Sequence, residues 1–434
     1  MKTQRLFALI LGSMMVVACA GATPSAAPPS DASSPPAPSD AASAEAPSGV
    51  PQPPTDTTAT LSLWTYLISE GQVRALDAWI AAFNEKYPNV TVEHEYVPYD
   101  QYTTKLVAAA AAQQGPDVLL INGVFTEAFA SAGALYDLTD WWNAFPDAKE
   151  FATATISTVG DRVYAVQGYT NLLALWYNKT ILDELGIPPP TTVAELDAAL
   201  ATIKADGKYT GLLLCGKPTP EGEFNAQPWF GSNGVDYSNI DQPKTAEIFK
   251  MFEDWSAKGY IPKDVVNLGQ YEAFQQWLGG QAAFTENGNW NITDAKANAK
   301  FEWGVVQMPP GSEGISVNLG GESEAIGGFS KQPDLAWAFI ETTLWSKEGQ
   351  LTALKEIGSI PTRSDAAADP LVADDPVYAT FASEIPFGVP LPAGDKLNQA
   401  QQAFSEGWSA VLAGQKDGET VAAEVIDAVT RILE

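Results

Sequence analysis

The sequence predicts an α/β protein built in two halves. Its 434 residues, 45% of them hydrophobic, can fill a large core but are too many for one ordinary domain. Strand-like runs alternate with stretches of helical periodicity from residue 61 onward, which is typical of a sheet covered by helices. Both halves show this pattern and no linker-like break separates them. We therefore expect the chain to cross between the halves more than once.

The individual elements are predicted from apolar runs and their spacing. Residues 61–66 and 90–97 are the first strands, and the continuous apolar run at 118–121 is typical of a buried parallel strand. Further strands are predicted at 163–166, 172–177, 212–214, 282–284 and 301–306. Helices are predicted at 72–86, 102–112, 125–134, 178–185, 193–206, 245–258, 271–278, 335–344, 347–356, 399–413 and 420–433. Residues 217–237 are predicted to form a long loop that carries Trp229 and Phe230.

Charge and residue usage exclude several classes of function. The net charge is −29 with only 24 Lys and Arg, so nucleic acid, which needs a basic surface, is not an expected partner. His94 is the only histidine, which argues against a His-ligated metal site. Cys19 and Cys215 cannot form a disulfide framework. The sequence lacks G-x-S-x-G, H-E-x-x-H and G-x-x-x-x-G-K-[ST] motifs, and we predict no cofactor.

Residues 1–19 have the character of an export signal. Lys2 and Arg5 precede a short apolar segment that ends in Val-Val-Ala-Cys at Cys19. This ending resembles a bacterial lipobox, which implies that Cys19 becomes the lipid-carrying first residue of the mature protein; an ordinary signal peptide with a chance cysteine is the alternative. Residues 20–60 are rich in Pro, Ala and Ser and contain no aromatic residue, so we predict a disordered tether.

Residues 279–290, GGQAAFTENGNW, form a candidate part of a binding site. A short apolar strand leads into a polar turn with Glu286 and Asn289, and the stretch ends at Trp290. A sugar needs polar groups for its hydroxyls and a flat aromatic face for its C–H bonds, and this stretch offers both. The alternative is a strand followed by a helix start with one tryptophan in the core.

Several short motifs occur in an order that resembles a known family. They are GPDV at 115–118, WYNK at 176–179, the stretch at 279–290, GG at 320–321 and SIPTR at 359–363. In this order and spacing they are similar to the maltose-binding-protein-like family of extracellular solute-binding proteins, which serve carbohydrate importers. One departure is Gln167, where the family often has proline.

The resemblance implies a fold, a function and a location. The fold would be the type II periplasmic-binding-protein-like fold, with two α/β lobes around a cleft and a multi-strand hinge. Residues 60–168 plus 322–375 would form the N-terminal lobe, and 169–321 plus 376–434 the C-terminal lobe. The protein would be no enzyme; it would capture a sugar or oligosaccharide by lobe closure and deliver it to the transmembrane permease of an ABC importer. It would be exported, held by lipid to the outer face of the cell membrane or periplasmic.

Candidate ligand-binding residues are the polar and aromatic side chains at predicted strand ends and lobe crossings, because ligands of α/β sheets collect there. They are Trp64, Tyr66, Glu70, Asn122, Tyr169, Asn171, Trp229, Glu286, Asn289, Trp290, Gly321, Glu322 and Arg363. Competing structural interpretations place Trp64 in the core, Glu70 at a helix start and Arg363 in ion pairs with nearby acids.

Two other functions stay open on the sequence. A secreted glycosidase or lyase would need two carboxylates flanking the scissile bond, and Glu70, Glu286 and Glu322 are the residues that could converge. The second alternative is the same architecture binding another solute, such as a glycerol phosphodiester, a polyol or a polyamine.

Overall fold

The computed structural model describes residues 49–68, 70–389 and 396–434, with only the backbone of Tyr99 and Asp100. The predicted signal segment, Cys19 and most of the predicted tether lie outside the described residues. Val50 nevertheless packs against a hydrophobic core, and the Gln52 amide donates to Glu341 at 3.3 Å. The folded body therefore already includes Val50, inside the segment 20–60 that was predicted to be disordered.

The strands follow one another along the described residues and are numbered in chain order. They are β1 (Ala59–Thr65), β2 (Val90–Tyr96), β3 (Val118–Asn122), β4 (Ile156–Val159), β5 (Arg162–Gln167), β6 (Tyr169–Thr170), β7 (Leu173–Asn178), β8 (Thr210–Leu213), β9 (Ala282–Gly288), β10 (Trp303–Val306), β11 (Val317–Asn318), β12 (Glu322–Ile326), β13 (Ile360–Pro361) and β14 (Gly388–Val389).

The α-helices are numbered in the same way. They are α1 (Glu70–Lys86), α2 (Tyr99–Ala111), α3 (Thr126–Ser131), α4 (Thr139–Ala144), α5 (Lys179–Leu185), α6 (Val193–Asp206), α7 (Pro220–Gly231), α8 (Pro243–Lys258), α9 (Gln270–Leu278), α10 (Ile292–Asn298), α11 (Pro333–Thr342), α12 (Lys347–Glu356), α13 (Ser364–Ala367), α14 (Pro370–Ala373), α15 (Pro376–Glu384), α16 (Leu397–Leu412) and α17 (Gly418–Leu433).

Two sheets organise these elements. The first has the order β2-β1-β3-β12-β5-β4, with β1 parallel to β2 and β3, and with β12 antiparallel to both of its neighbours. The second has the order β10-β7-β9-β8, with only β8 and β9 parallel. Successive side chains of β1 point to opposite faces of the first sheet, and Leu61 and Leu63 are fully buried on the same face. We call the first sheet with its helices the first lobe, and the second sheet with its helices the second lobe.

Three segments carry the chain from one lobe to the other. The first crossing, residues 167–172, connects β5 to β7 through β6, and the second crossing, residues 318–322, precedes β12. The third crossing, residues 358–363, follows Ile357 of the first core and contains Ile360 of the second core. β13 in the third crossing pairs with β6 in the first, so these crossings form a small sheet of their own. The predicted repeated passage between the halves is confirmed.

Two sequence predictions are wrong in ways that matter for the site. Residues 217–237, predicted to be a loop, contain α7, which begins after Thr219 and continues through Pro228. Glu286, Asn287 and Gly288, predicted to belong to a polar turn, are instead part of β9, which extends to Gly288 and is buried along its whole length. In both cases residues typical of loops are tolerated because neighbouring elements hold their backbone.

Candidate functional site

The three crossings meet at Asn171. Its backbone N–H donates to the Gly320 carbonyl at 3.1 Å, and the Gly320 N–H donates back to the Asn171 carbonyl at 2.9 Å. The Ser359 hydroxyl donates to Asn171 Oδ1 at 2.9 Å, and Asn171 Nδ2 lies 3.5 Å from Glu322 Oε2. Asn171 is partly accessible, so one amide both joins the crossings and presents polar atoms to solvent.

Glu322 is a partly accessible carboxylate beside this junction. It is the first residue of β12 and lies opposite Asn122 in the register with β3. Burial raises the pKa of Glu322 to about 7, and the nearby hydroxyls of Tyr169 and Tyr66 partly offset this rise. Burial, and to a smaller extent the charge of Glu322, raises the pKa of Tyr169 well above its usual range. Tyr169 is only 1% exposed and stacks on Trp79, so it supports the junction from inside.

A cavity lies beside the ends of β3 and β5 in the first lobe. Asn122 ends β3, and its Oδ1 accepts from the Val124 N–H at 3.2 Å. Together with Gln167 and Gly321 it lines a cavity of 320 Å³. Tyr66 and Asn122 are both partly accessible, as expected for residues that face a ligand.

The second lobe adds two aromatic side chains. Trp290 directly follows Asn289 after β9, is partly exposed and lies over the bare backbone of Gly288. The ring of Phe224 lies 6.3 Å from it, centroid to centroid, at an interplanar angle of 51°. Phe224 is also close to Gly320, so the aromatic pair adjoins the crossings. The sequence prediction missed Phe224 because it lay in a supposed loop; Thr219 followed by Pro220 is a helix-start signal that could have revealed α7.

Trp229, predicted to face a ligand, lies in the core instead. It is 2% exposed, and its ring packs at right angles to Trp255 and edge-on to Phe252, with centroids 5.8 and 5.3 Å away. Its indole N–H donates to Glu286 Oε2 at 2.8 Å. Glu286 is fully buried as well, and burial raises its pKa to about 8. Neither side chain has an accessible surface for a ligand in this geometry.

Arg363 is also held inside the protein. It is 4% exposed and pairs with Asp147 at 3.0 Å and Asp365 at 2.8 Å. It donates to the Trp345 carbonyl at 2.9 Å as well. The ion-pair interpretation of Arg363 therefore describes the structure, and its charge is already matched by two carboxylates.

Trp64 and Glu70 lie in the first lobe, near the end of β1 and at the start of α1. The Trp64 ring is partly exposed, but the ammonium of Lys105 lies 4.0 Å from its centroid, and Lys105 also pairs with Glu95. Glu70 is exposed at the first turn of α1. Glu286 is fully buried, so it cannot flank a scissile bond together with Glu70 and Glu322. Among the residues that the structure describes, no cluster of three metal-ligating side chains is found.

Residues 78–380 match the family model of the bacterial extracellular solute-binding proteins. The chain belongs to this family. Extracellular solute-binding proteins bind rather than transform their ligands, so the prediction that the chain is no enzyme is confirmed, and an exported location follows from the family. None of the helices in the described part of the chain combines the length and apolar character that a bilayer crossing requires.

Individual family members support the same fold. The GacH receptor of Streptomyces glaucescens, solved unliganded and with acarbose, has a TM-score of 0.78 at 25% identity, covering 87% of this chain and 99% of that one. An uncharacterised extracellular-binding protein of an ABC transporter from Pyrococcus horikoshii is 25% identical over 87% of this chain and 89% of its own. The maltotriose-binding protein of Pyrococcus abyssi is 26% identical over 71% and 68%. The predicted two-lobe solute-binding fold is confirmed.

Proposed function

We propose that this solute-binding protein captures a sugar or oligosaccharide for an ABC importer. The observation that carries the proposal is the aromatic pair Phe224 and Trp290 beside the polar junction of Asn171 and Glu322. Aromatic faces pack on the C–H face of a sugar ring, while amide and carboxylate groups bind its hydroxyls. The similar proteins named above are described as binding maltotriose or acarbose, or as belonging to an ABC transporter, which supports the same class of ligand.

Capture would use the crossings as a hinge. Tyr66 and Asn122 belong to the first lobe, whereas Phe224 and Trp290 belong to the second. A ligand that touches both sets stabilises the closed arrangement, because only that arrangement makes all of the contacts at once. In this proposal the first lobe moves against the second, and the third crossing at 358–363 replaces the predicted boundary at residue 375, because Val372 already belongs to the second core.

We also propose that the protein is attached to the membrane through its N-terminus. Cys19 would carry the lipid, and residues 20–48 would give the body reach toward the permease that receives the sugar. Mass spectrometry of the mature protein tests this part: a start at Cys19 with an attached acyl chain is expected. A different first residue or an unmodified cysteine would contradict the lipid anchor and leave the sugar proposal untouched.

A binding screen tests the ligand class. We would measure thermal shifts and calorimetric affinities for maltotriose, xylose, diacetylchitobiose, glycerol 3-phosphate and spermidine. At least one sugar should bind, and Trp290→Ala should weaken it about tenfold, which corresponds to about 1.4 kcal/mol. Trp303→Ala is the matched control, because Trp303 is also partly exposed but stacks on Trp176 in the second sheet. Equal losses in both variants would remove Trp290 from the site.

The other solutes in the screen make the proposal refutable. A phosphate ester is disfavoured because Arg363 is already paired and Glu322 is a carboxylate at the junction. A polyamine would be compatible with Glu322 but would gain less from an aromatic pair than a sugar does. Binding of spermidine or glycerol 3-phosphate with no response to any sugar would overturn the proposal.

A further inference from the structure

Asn289, the residue before Trp290, is fully buried, and both the oxygen and the nitrogen of its side-chain amide are hydrogen-bonded. Its Oδ1 accepts from the Leu172 N–H at 2.6 Å. Its Nδ2 donates to the Gly358 carbonyl at 2.9 Å and lies 3.2 Å from Asn171 Oδ1. An amide that is buried with all of its polar atoms satisfied has one preferred orientation, because any rotation would leave buried partners unpaired.

These partners belong to the hinge. Leu172 and Asn171 lie in the first crossing and Gly358 in the third, and Asn171 is itself bonded to Gly320 of the second. One side chain of the second lobe therefore ties the end of β9 to the segments that must change when the lobes move. The contacts span 117 residues to Leu172 and 69 to Gly358.

The Trp290 ring is held in place by its contact with the backbone of Gly288. A Cβ atom added at Gly288 would lie 2.0 Å from the nearest carbon of that ring, so the indole lies flat against the chain two residues earlier. With Gly288 beneath the ring and Asn289 anchored to the crossings, the ring has little freedom to turn relative to the hinge. Phe224 borders it on the side of the second lobe.

We propose that Asn289 is a positioning residue that fixes the Trp290 ring relative to the hinge and thereby sets the affinity for a ligand it does not touch. The effect on affinity rests on the proposed function, whereas the effect on the ring does not. Asn289 was predicted from the sequence to contact the ligand; its complete burial removes that role and leaves the indirect one.

The first measurement needs no ligand. We would label the protein with 5-fluorotryptophan and assign the Trp290 fluorine resonance by its loss in Trp290→Phe. Asn289→Ala should shift or broaden this resonance. The matched control is Asn291→Ala, because Asn291 is also a buried amide after β9 but donates to Asn287 Oδ1 at 2.6 Å, away from the crossings. An unchanged Trp290 resonance in Asn289→Ala, or an equal change in Asn291→Ala, would overturn the proposal.

The second measurement is a double-mutant cycle with maltotriose, or with the best-bound sugar of the screen. Asn289→Ala should weaken binding about tenfold in the natural background and less than twofold in a Trp290→Ala background, because the residue acts through the ring. Additive losses would contradict a positioning role. If the wild-type protein binds no sugar, the proposed function fails while the fluorine measurement still decides the role of Asn289.

Asn289→Asp is an isosteric variant that removes only the donor side of the amide. The carboxylate keeps the acceptor for the Leu172 N–H but places an oxygen against the Gly358 carbonyl and Asn171 Oδ1, where two bonds were donated. We expect it to disturb the Trp290 resonance at least as much as Asn289→Ala does. A folded Asn289→Asp protein with the wild-type spectrum would reject the proposal by itself.

Discussion

Trp229 and Trp290 are both tied to β9, but their surroundings are opposite. Trp229 is enclosed by Phe252 and Trp255 and donates its N–H to the buried Glu286. Trp290 is partly exposed and rests on a glycine backbone beside Phe224. The difference shows that one strand can serve the core with one residue and the candidate site with residues a few positions later.

The comparison also separates two ways of holding an aromatic ring. In the core, close packing on several sides fixes Trp229, and its polar atom is satisfied by a carboxyl group. At the site, one face of the Trp290 ring rests on Gly288, and hydrogen bonds of Asn289 anchor the neighbouring backbone. The other face of the ring therefore stays available to a ligand. Variants of these residues should therefore separate stability from binding.

The largest expected effect is the loss of stability in Trp229→Ala. Removing a buried tryptophan leaves a cavity, which typically destabilises a protein by about 3–5 kcal/mol. Glu286 also loses its donor, which adds about 1 kcal/mol or more. Trp290→Ala, by contrast, should lower the free energy of unfolding by only about 1 kcal/mol, because its side chain is partly exposed. Guanidinium unfolding of the two variants tests this; equal losses would abolish the distinction between core and site.

The next effect is a pH dependence of stability that originates from Glu286. Its pKa in the folded protein is about 8, against an ordinary value of 4.5, so the folded form holds the proton over a range where the unfolded form has lost it. The stabilisation is complete below about pH 4.5 and is lost as the pH rises through 8. Between pH 5 and 8 the free energy of unfolding should therefore fall by about 3 kcal/mol through this group.

Glu286→Gln isolates this contribution. The amide oxygen can still accept from the Trp229 N–H, but the side chain no longer ionises. Its unfolding free energy should fall less steeply over the same pH range, with a remainder from other buried carboxyl groups. Burial raises the pKa of Glu223 and Glu322 to about 7, that of Glu384 to about 8 and that of Glu324 well above its usual range. The exposed Glu272→Gln is the control and should keep the full slope. An identical slope in Glu286→Gln would show that Glu286 is already ionised in the folded protein.

A structural feature could be predicted from the sequence when it depends on neighbouring residues, and not when it depends on contacts between distant ones. The strands at 90–97, 118–121 and 172–177 and the passage between lobes follow from runs of neighbouring residues, and the structure has them. The position of Trp229 was predicted wrongly because its burial depends on Phe252 and Trp255 of α8, which lies further along the sequence. For Arg363 the ion-pair interpretation was correct for the local partner Asp365, whereas the second partner, Asp147, lies 216 residues away and could not be predicted.

The candidate site shows the same limit in a sharper form. The residue types of 279–290 indicated part of a binding site. The sequence could not distinguish the partly exposed Trp290 from the buried Glu286 and Asn289. That distinction depends on where β9 ends, at Gly288, and on hydrogen bonds to the first and third crossings. Such contacts are set by tertiary packing and leave no periodic pattern in the sequence.

The smallest free-energy effect, and the most specific test of the site, is Gly288→Ala. The backbone of Gly288 has a φ of −99°, which alanine adopts without strain. Its Cβ would nevertheless lie 2.0 to 2.3 Å from three carbons of the Trp290 ring, and the ring must move away. We expect sugar affinity to fall by up to about tenfold, or about 1.4 kcal/mol, because the displaced ring no longer presents its face to the ligand.

Two controls make the Gly288→Ala result decisive. Gly115→Ala adds the same methyl group where no atom lies within 4 Å, so it should leave sugar affinity unchanged. In a Trp290→Ala background the added methyl meets no ring, so Gly288→Ala should cause little further loss. Full affinity in the single variant would mean that the ring position does not matter for binding. The aromatic wall of the site would then have to be sought in Phe224 alone.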